Sequence, residues 1–185
     1  MIMKYRELIK SDFKGTVIDI ETIGPFHNKY NDSRRYKDIQ LVIFGFINRN
    51  ALQILCAEGE GAINELKQET RKIIDSLERP FYAFNSGFER GVLFHTLDKA
   101  IDFEGELQDL PREGLRENKA RARRELGIPN YDDPFFDDGY RCMIAWEKGE
   151  FDSAIAHNRA CLLKERDILL KRGFRKPDKL ECVGK

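Results

Sequence analysis

The sequence predicts an α/β fold built on a mixed sheet of about five strands, three antiparallel and then parallel, flanked by helices. Three observations predict it. Apolar, β-branched runs crowd the first third of the chain; the hydrophobic period then lengthens from two residues to that of a helix; beyond that point strand-like and helix-like segments alternate. A chain of 185 residues can bury one good core and is short for two. We read a single domain over residues 1–185, with a core at about 15–171 and a loosely ordered tail over 173–185.

The first strand is the run from Gly15 to Glu21 (GTVIDIE), apolar with acids at alternate places, as in a buried strand reaching a polar edge. A polar loop follows from about Gly24 to Lys37. Ile39 to Ile47 and Leu52 to Cys56 are a second and third strand, joined by a turn at Arg49 and Asn50, and this close spacing implies an antiparallel meander. Ile63, Leu66, Ile73, Ile74 and Leu77 fall at helical spacing from about Gly61 to Leu77. Pro80 to Phe84 is a fourth strand, and Asn85 and Ser86 can cap a helix carrying Phe88, Val92, Leu93 and Leu97. A short strand is expected within Glu106 to Leu110, and a charged helix within Arg112 to Glu125. Two helices, around Tyr140 to Lys148 and Asp152 to Lys171, close the domain. Three antiparallel strands, then helix, strand, helix, strand and helix, is the ribonuclease H-like order.

Composition excludes several classes. No apolar run approaches the roughly 20 residues that cross a bilayer, so no membrane partner is expected and the chain is read as soluble and cytoplasmic. The cysteines at 56, 142, 161 and 182 form no CxxC or Cys/His pattern, which suggests neither a zinc site nor a disulfide framework. Thirty-two basic residues cancel thirty-two acidic ones, so any nucleic-acid partner has to be argued from a local site.

That site begins at Asp19 and Glu21. Residues i and i+2 of a strand share a face, so the two carboxylates stand side by side. Paired charges in an apolar strand need either a cation or an opening to water. Mg2+ and Mn2+ prefer such oxygen ligands. An isolated Asp-x-Glu reads more readily as an exposed strand end, and context has to decide.

The run Val17 to Thr22 (VIDIET) resembles the first motif of the DEDD superfamily of 3′–5′ exonucleases, to which polymerase proofreading domains belong, and most nearly its prokaryotic ribonuclease H-like exonuclease branch. The resemblance spans about Gly15 to Leu170. It implies four carboxylates holding two Mg2+ or Mn2+ ions that activate water and stabilise the leaving oxygen. It also implies single-stranded or 3′-terminal nucleic acid as substrate. Phe81 to Arg90 (FYAFNSGFER) resembles the second motif, with Glu89 where Asp is usual and Asn85 at the substrate-contacting strand end, a place where it could also act as N-cap. Ala154 to Glu165 (AIAHNRACLLKE) resembles the third, with His157 placed to orient or deprotonate water; outside the motif it would read as a polar-face residue like Asn158 and Lys164.

The fourth acid does not fall into place. One register puts it at Cys161 and the other at Leu162. At 100° per residue Cys161 lies about 40° from His157, whereas Leu162 lies about 140° away on the core face. Cys161 is thus the positional equivalent, and a soft, mostly protonated thiol is a poor magnesium ligand. Three outcomes stay open: a weakened three-carboxylate site, rescue by Glu165 or Asp109, or a catalytically silent domain that binds nucleic acid or a protein.

His27, Lys29, Arg34 and Arg35, and the basic residues from Lys119 to Arg124, could position phosphates or simply be solvated. Phe26, Tyr30 and Tyr82 could stack on a terminal base, although Tyr82 suits the core better. The acidic loop Asp132 to Gly139 lacks EF-hand spacing and reads as structural, introducing a helix that carries Trp146.

Overall fold

The computed structural model describes residues 1–109 and 116–184. It is α/β, with one mixed sheet flanked by helices, consistent with a ribonuclease H-like fold. The strands are β1 (Ile2–Leu8), β2 (Thr16–Ile23), β3 (Gln40–Asn48), β4 (Ala51–Ala57), β5 (Phe81–Ala83) and β6 (Gly105–Glu106). They lie in the order β1-β4-β3-β2-β5-β6, antiparallel from β1 to β2 and parallel from β2 to β6.

The sheet therefore has six strands where about five were expected. The addition is β1, which pairs with β4 from Ile2↔Ala57 to Leu8↔Ala51. It is an edge strand whose side chains alternate between cover and water, and Lys4, Arg6 and Glu7 dilute its apolar signal. The β3–β4 turn is set by Asn48, whose Oδ1 accepts from the backbone N–H groups of Asn50 at 2.9 Å and Ala51 at 3.1 Å. The short strand expected within Glu106 to Leu110 begins one residue earlier, and Leu110 lies outside the described residues, as does Arg112 at the start of the expected charged helix.

The helices are α1 (Ile63–Ile74), α2 (Ser86–Leu97), α3 (Lys119–Glu125), α4 (Gly139–Glu147) and α5 (Phe151–Arg172). α5 lies across β2, β3 and β4 with α4 beside it, while α1 and α2 pack on each other and on the sheet. Among the described residues no helix is long and apolar enough to cross a membrane.

Two contacts fix α5 over the site strands. Gly45 on β3 lies opposite Asp19 on β2, and a Cβ there would stand 2.0 Å from Asn158 Oδ1 and 2.9 Å from Leu162 Cδ1. Only glycine permits that approach. At the other end of the sheet Glu7 of β1 binds Arg159 through both carboxylate oxygens, at 2.6 and 2.9 Å. Beyond α5, among the described residues, a β-bridge joins Arg175 to Glu106, and further anchors hold the segment. Phe174 packs on Tyr82 at 5.0 Å between ring centroids, and Ser33 binds the backbone of Glu181 and Val183.

Candidate functional site

β2 turns Asp19 and Glu21 toward α5, and a register shift in its pairing with β3 follows directly after Glu21. Bulges of this kind re-aim side chains next to sites. Asn158 of α5 donates from Nδ2 to the Asp19 carboxylate at 2.7 Å and to its main-chain carbonyl at 3.3 Å. Lys119, near the start of α3, places Nζ 2.9 Å from Asp19 Oδ1 and 2.6 Å from Glu165 Oε1. Glu89 enters from the first turn of α2, buried, with Oε2 unpartnered among the described residues.

Lys119 thus bridges Asp19 and Glu165, and Glu89 feels the charge of both, while of the four carboxylates only Asp19 and Glu21 join groups of potential metal ligands within 4.8 Å among the described residues. Burial raises Glu89 well above the usual carboxylate range, and the charges of Glu165 and Asp19 push it the same way. Burial likewise raises Glu165, against the pull of Lys119. Glu21 is lifted to about 7, first by burial and then by Asp19, with His157 opposing. For Lys119 burial opposes the charge, but Asp19, Cys161 and Glu165 outweigh it and raise the ammonium well above its ordinary value. Burial and mutual repulsion thus favour the neutral form at Glu21, Glu89 and Glu165, whereas a divalent cation would favour the ionised one.

His157 is buried, with Nε2 3.7 Å from Glu21 Oε1 and Nδ1 2.7 Å from Asp133 Oδ1. Burial disfavours its charged form, yet Cys161, Glu21 and Asp133 together lift it to about 12. These neighbours favour the imidazolium form, in which Nε2 faces Glu21 and Cys161 as a donor. Asp133 is itself fixed. It accepts from the backbone N–H groups of Phe135 and Asp137, both at 2.9 Å, and from Lys164 Nζ at 2.6 Å. Lys164 also binds Asp137 at 2.6 Å. Burial works against an ionised Asp133, but the hydrogen bond from His157 leads the effects that hold it below the usual range.

Cys161 lies one turn beyond His157, with Sγ 3.7 Å from Nε2, and groups with Asp19 and Glu21 within 4.8 Å. Burial raises its thiol above the ordinary value, against the charges of Lys119 and His157. Cys142 of α4 groups with Glu21 and His157 within the same limit. Leu162 is fully buried against the sheet.

Asn85 sits at the N-cap position of α2 but makes no capping bond; the Glu106 carboxylate accepts from Ser86 N and Oγ in its place. Asn85 borders a cleft of about 570 Å³ with Phe26, Tyr30, Arg35, Phe88 and Arg116. Tyr82 is buried. Asp109 follows β6, where its charge acts on Arg172 and Arg175, and joins none of the metal-ligating groups found among the described residues. Of the basic candidates, Arg34 pairs with Asp32, His27 with Asp38, Arg121 with Glu125 and Arg123 with Asp137. The acidic loop is structural in part: Asp138 caps α4, accepting from Tyr140 and Arg141.

Sequence reasoning missed Lys119 as a site residue, and also Asn158, Asp133, Lys164 and Cys142. It treated Asn158 and Lys164 as polar-face residues, but α5 is covered on all sides along its middle, and both are fully buried. Five polar residues among the twelve from Ala154 to Glu165 were the available signal, since a helix lying across a sheet buries polar groups only when they have partners. Comparison with protein-family models, curated proteins and solved structures gives no match.

Proposed function

We propose that the chain is a metal-dependent 3′–5′ exonuclease of the DEDD type, acting on single-stranded or 3′-terminal DNA or RNA in the cytoplasm, where its unpaired cysteines stay reduced. The observation that carries this reading is the gathering of Asp19, Glu21, Glu89 and Glu165 from β2, α2 and α5 in a space where they cannot all be ionised without more positive charge. The donor set fits Mg2+ or Mn2+: hard carboxylate oxygens, one of them, on Glu89, buried and unpartnered. Asp19, Glu21 and Glu89 would hold metal, with Glu165 supplying the fourth acid one turn past Cys161. Bound there, two such ions would supply an activated water and charge neutralisation at the leaving oxygen.

The chain's own groups do the rest. Asn158 and Lys119 hold Asp19 in a single orientation. Asp133 holds the His157 ring so that its Nε2–H donates toward Glu21 and the space beside it. His157 therefore orients water or a phosphate oxygen as a donor. The cleft beside Asn85, with Phe26, Phe88, Arg35 and Arg116, suits a terminal nucleotide by stacking and phosphate contact.

Purified protein with Mn2+ should shorten a 3′-labelled or 5′-labelled single strand in a pattern that gives the polarity, and Asp19→Ala should abolish it. Equal cleavage by both proteins sinks the assignment. One observation favours a second reading, a binding domain without turnover: the Lys119 ammonium already bridges Asp19 and Glu165 where a metal would sit. That reading expects nucleic-acid binding, and no hydrolysis with Mg2+ or Mn2+.

A further inference from the structure

The donors around His157 differ in kind from the carboxylates beside it. Mg2+ and Mn2+ favour oxygen, whereas imidazole and thiolate select borderline and soft ions. Here Glu21, Cys142 and His157 offer ligand atoms within 4.8 Å of one another, and a second thiol, Cys161, lies 3.7 Å from His157 Nε2 and within 4.8 Å of Glu21. We propose that Glu21, Cys142, His157 and Cys161 form a site for a thiophilic divalent ion, Zn2+ foremost.

Three features support it. The first is spacing. Zinc bonds of about 2.0–2.3 Å in a tetrahedron put neighbouring ligand atoms about 3.3–3.8 Å apart. The Nε2 to Glu21 Oε1 and Nε2 to Cys161 Sγ separations are both 3.7 Å. The second is the support behind the ligand. Metal-bound histidines donate their other ring N–H to a carboxylate, which fixes the ring and its tautomer. Asp133 stands 2.7 Å from Nδ1 in that role, itself held by Lys164 and two backbone N–H groups. The third is burial: Cys142, Cys161 and His157 all lie away from bulk water, so thiolates formed on binding would be compensated by the ion, with the Lys119 ammonium beside Cys161. Each bound thiol, and Nε2 of the His157 imidazolium, would release its proton to solvent on binding, with Nδ1–H kept on Asp133.

The inference concerns the same cluster as the exonuclease reading and names a metal preference for it, yet it requires no turnover. Its test is spectroscopic. The full chain, reduced and stripped of metal, is titrated with Co2+ and then with Zn2+. Stoichiometric Co2+ should give near-ultraviolet thiolate charge-transfer bands and strong visible bands of a four-coordinate ion, and Zn2+ should bleach both. Cys142→Ser and Cys161→Ser should each lower the charge-transfer intensity by about half, and the double variant should remove it. Asp133→Asn acts through His157 and should weaken Co2+ binding about 10–100-fold while keeping the bands. Circular dichroism on each variant separates lost binding from lost fold.

No thiolate band at saturating Co2+, or bands that survive the double substitution, overturns the proposal. Mn2+-dependent hydrolysis without thiolate binding would leave the exonuclease reading standing alone. Thiolate binding without hydrolysis under any ion would do the reverse.

Discussion

Asp133 Oδ1 lies 2.7 Å from His157 Nδ1, and the other oxygen of the same carboxylate lies 2.6 Å from Lys164 Nζ. One side chain of a loop thus serves two buried cations on α5.

Removing it should be costly. Asp133→Ala leaves Lys164 with Asp137 alone and His157 without its acceptor, and stripping a partner from a buried charge costs about 3–5 kcal/mol. In a chain of this length that corresponds to a melting-temperature loss on the order of 10 °C. A loss of under about 1 kcal/mol in urea melts would refute the claim that this carboxylate organises the helix.

Gly45→Ala tests the seating of α5. The added methyl would stand 2.0 Å from Asn158 Oδ1, so α5 and β3 must part or Asn158 must swing off Asp19. Overpacking of this kind costs about 1–3 kcal/mol. Affinity for Mn2+ should fall along with stability, read by metal titration of the folded variant; unchanged affinity would separate the packing from the site.

Lys119→Met removes the ammonium between Asp19 and Glu165. The metal-free variant should melt below wild type, and its gain on adding Mn2+ should be the larger of the two. A ligand at 100 times its dissociation constant contributes about 2.7 kcal/mol. Thermal melts with and without the ion decide, and an absence of any Mn2+ effect in both proteins would count against a carboxylate metal site.

Acidity gives a signed prediction. Glu21 rises from 4.5 to about 7 on folding, so the native state binds the extra proton, and this stability is full below pH 4.5 and lost as pH climbs through 7. Glu89 and Glu165 shift the same way. His157, raised to about 12, also binds its proton more firmly when folded. Metal-free protein in a chelator should therefore show a lower urea midpoint at pH 8 than at pH 5. A midpoint that climbs over that interval contradicts the burial of these groups.

How much of this was legible in the sequence follows from which physical signals are local. The two-residue period put Asp19 and Glu21 on one face, and the 100° step of a helix put Leu162 in the core and turned Cys161 toward His157. β1 escaped because an edge strand shows water half of its side chains and carries little apolar signal. Asp133 and Lys164 escaped because their value to each other depends on a loop meeting a helix 31 residues away, and no local pattern records that. Cys142 and Cys161 face one site from separate helices, so their spacing resembles no metal motif. Asn85 illustrates the opposite error: its residue type and position suit a cap, yet Glu106, 20 residues downstream of Ser86, takes that role.

The reach of these contacts also sets an order of events during synthesis. Asp19 waits for a residue made 139 positions later, and the Ser33 hydroxyl beside the aromatic cleft waits for one made 150 positions later. β2 and β3 can pair as soon as they leave the ribosome, exposing two carboxylates on a growing sheet. The proposed metal cluster needs α5 over that sheet, so a chain still lacking α5 has Asp19 and Glu21 but neither His157 nor Cys161 to set beside them.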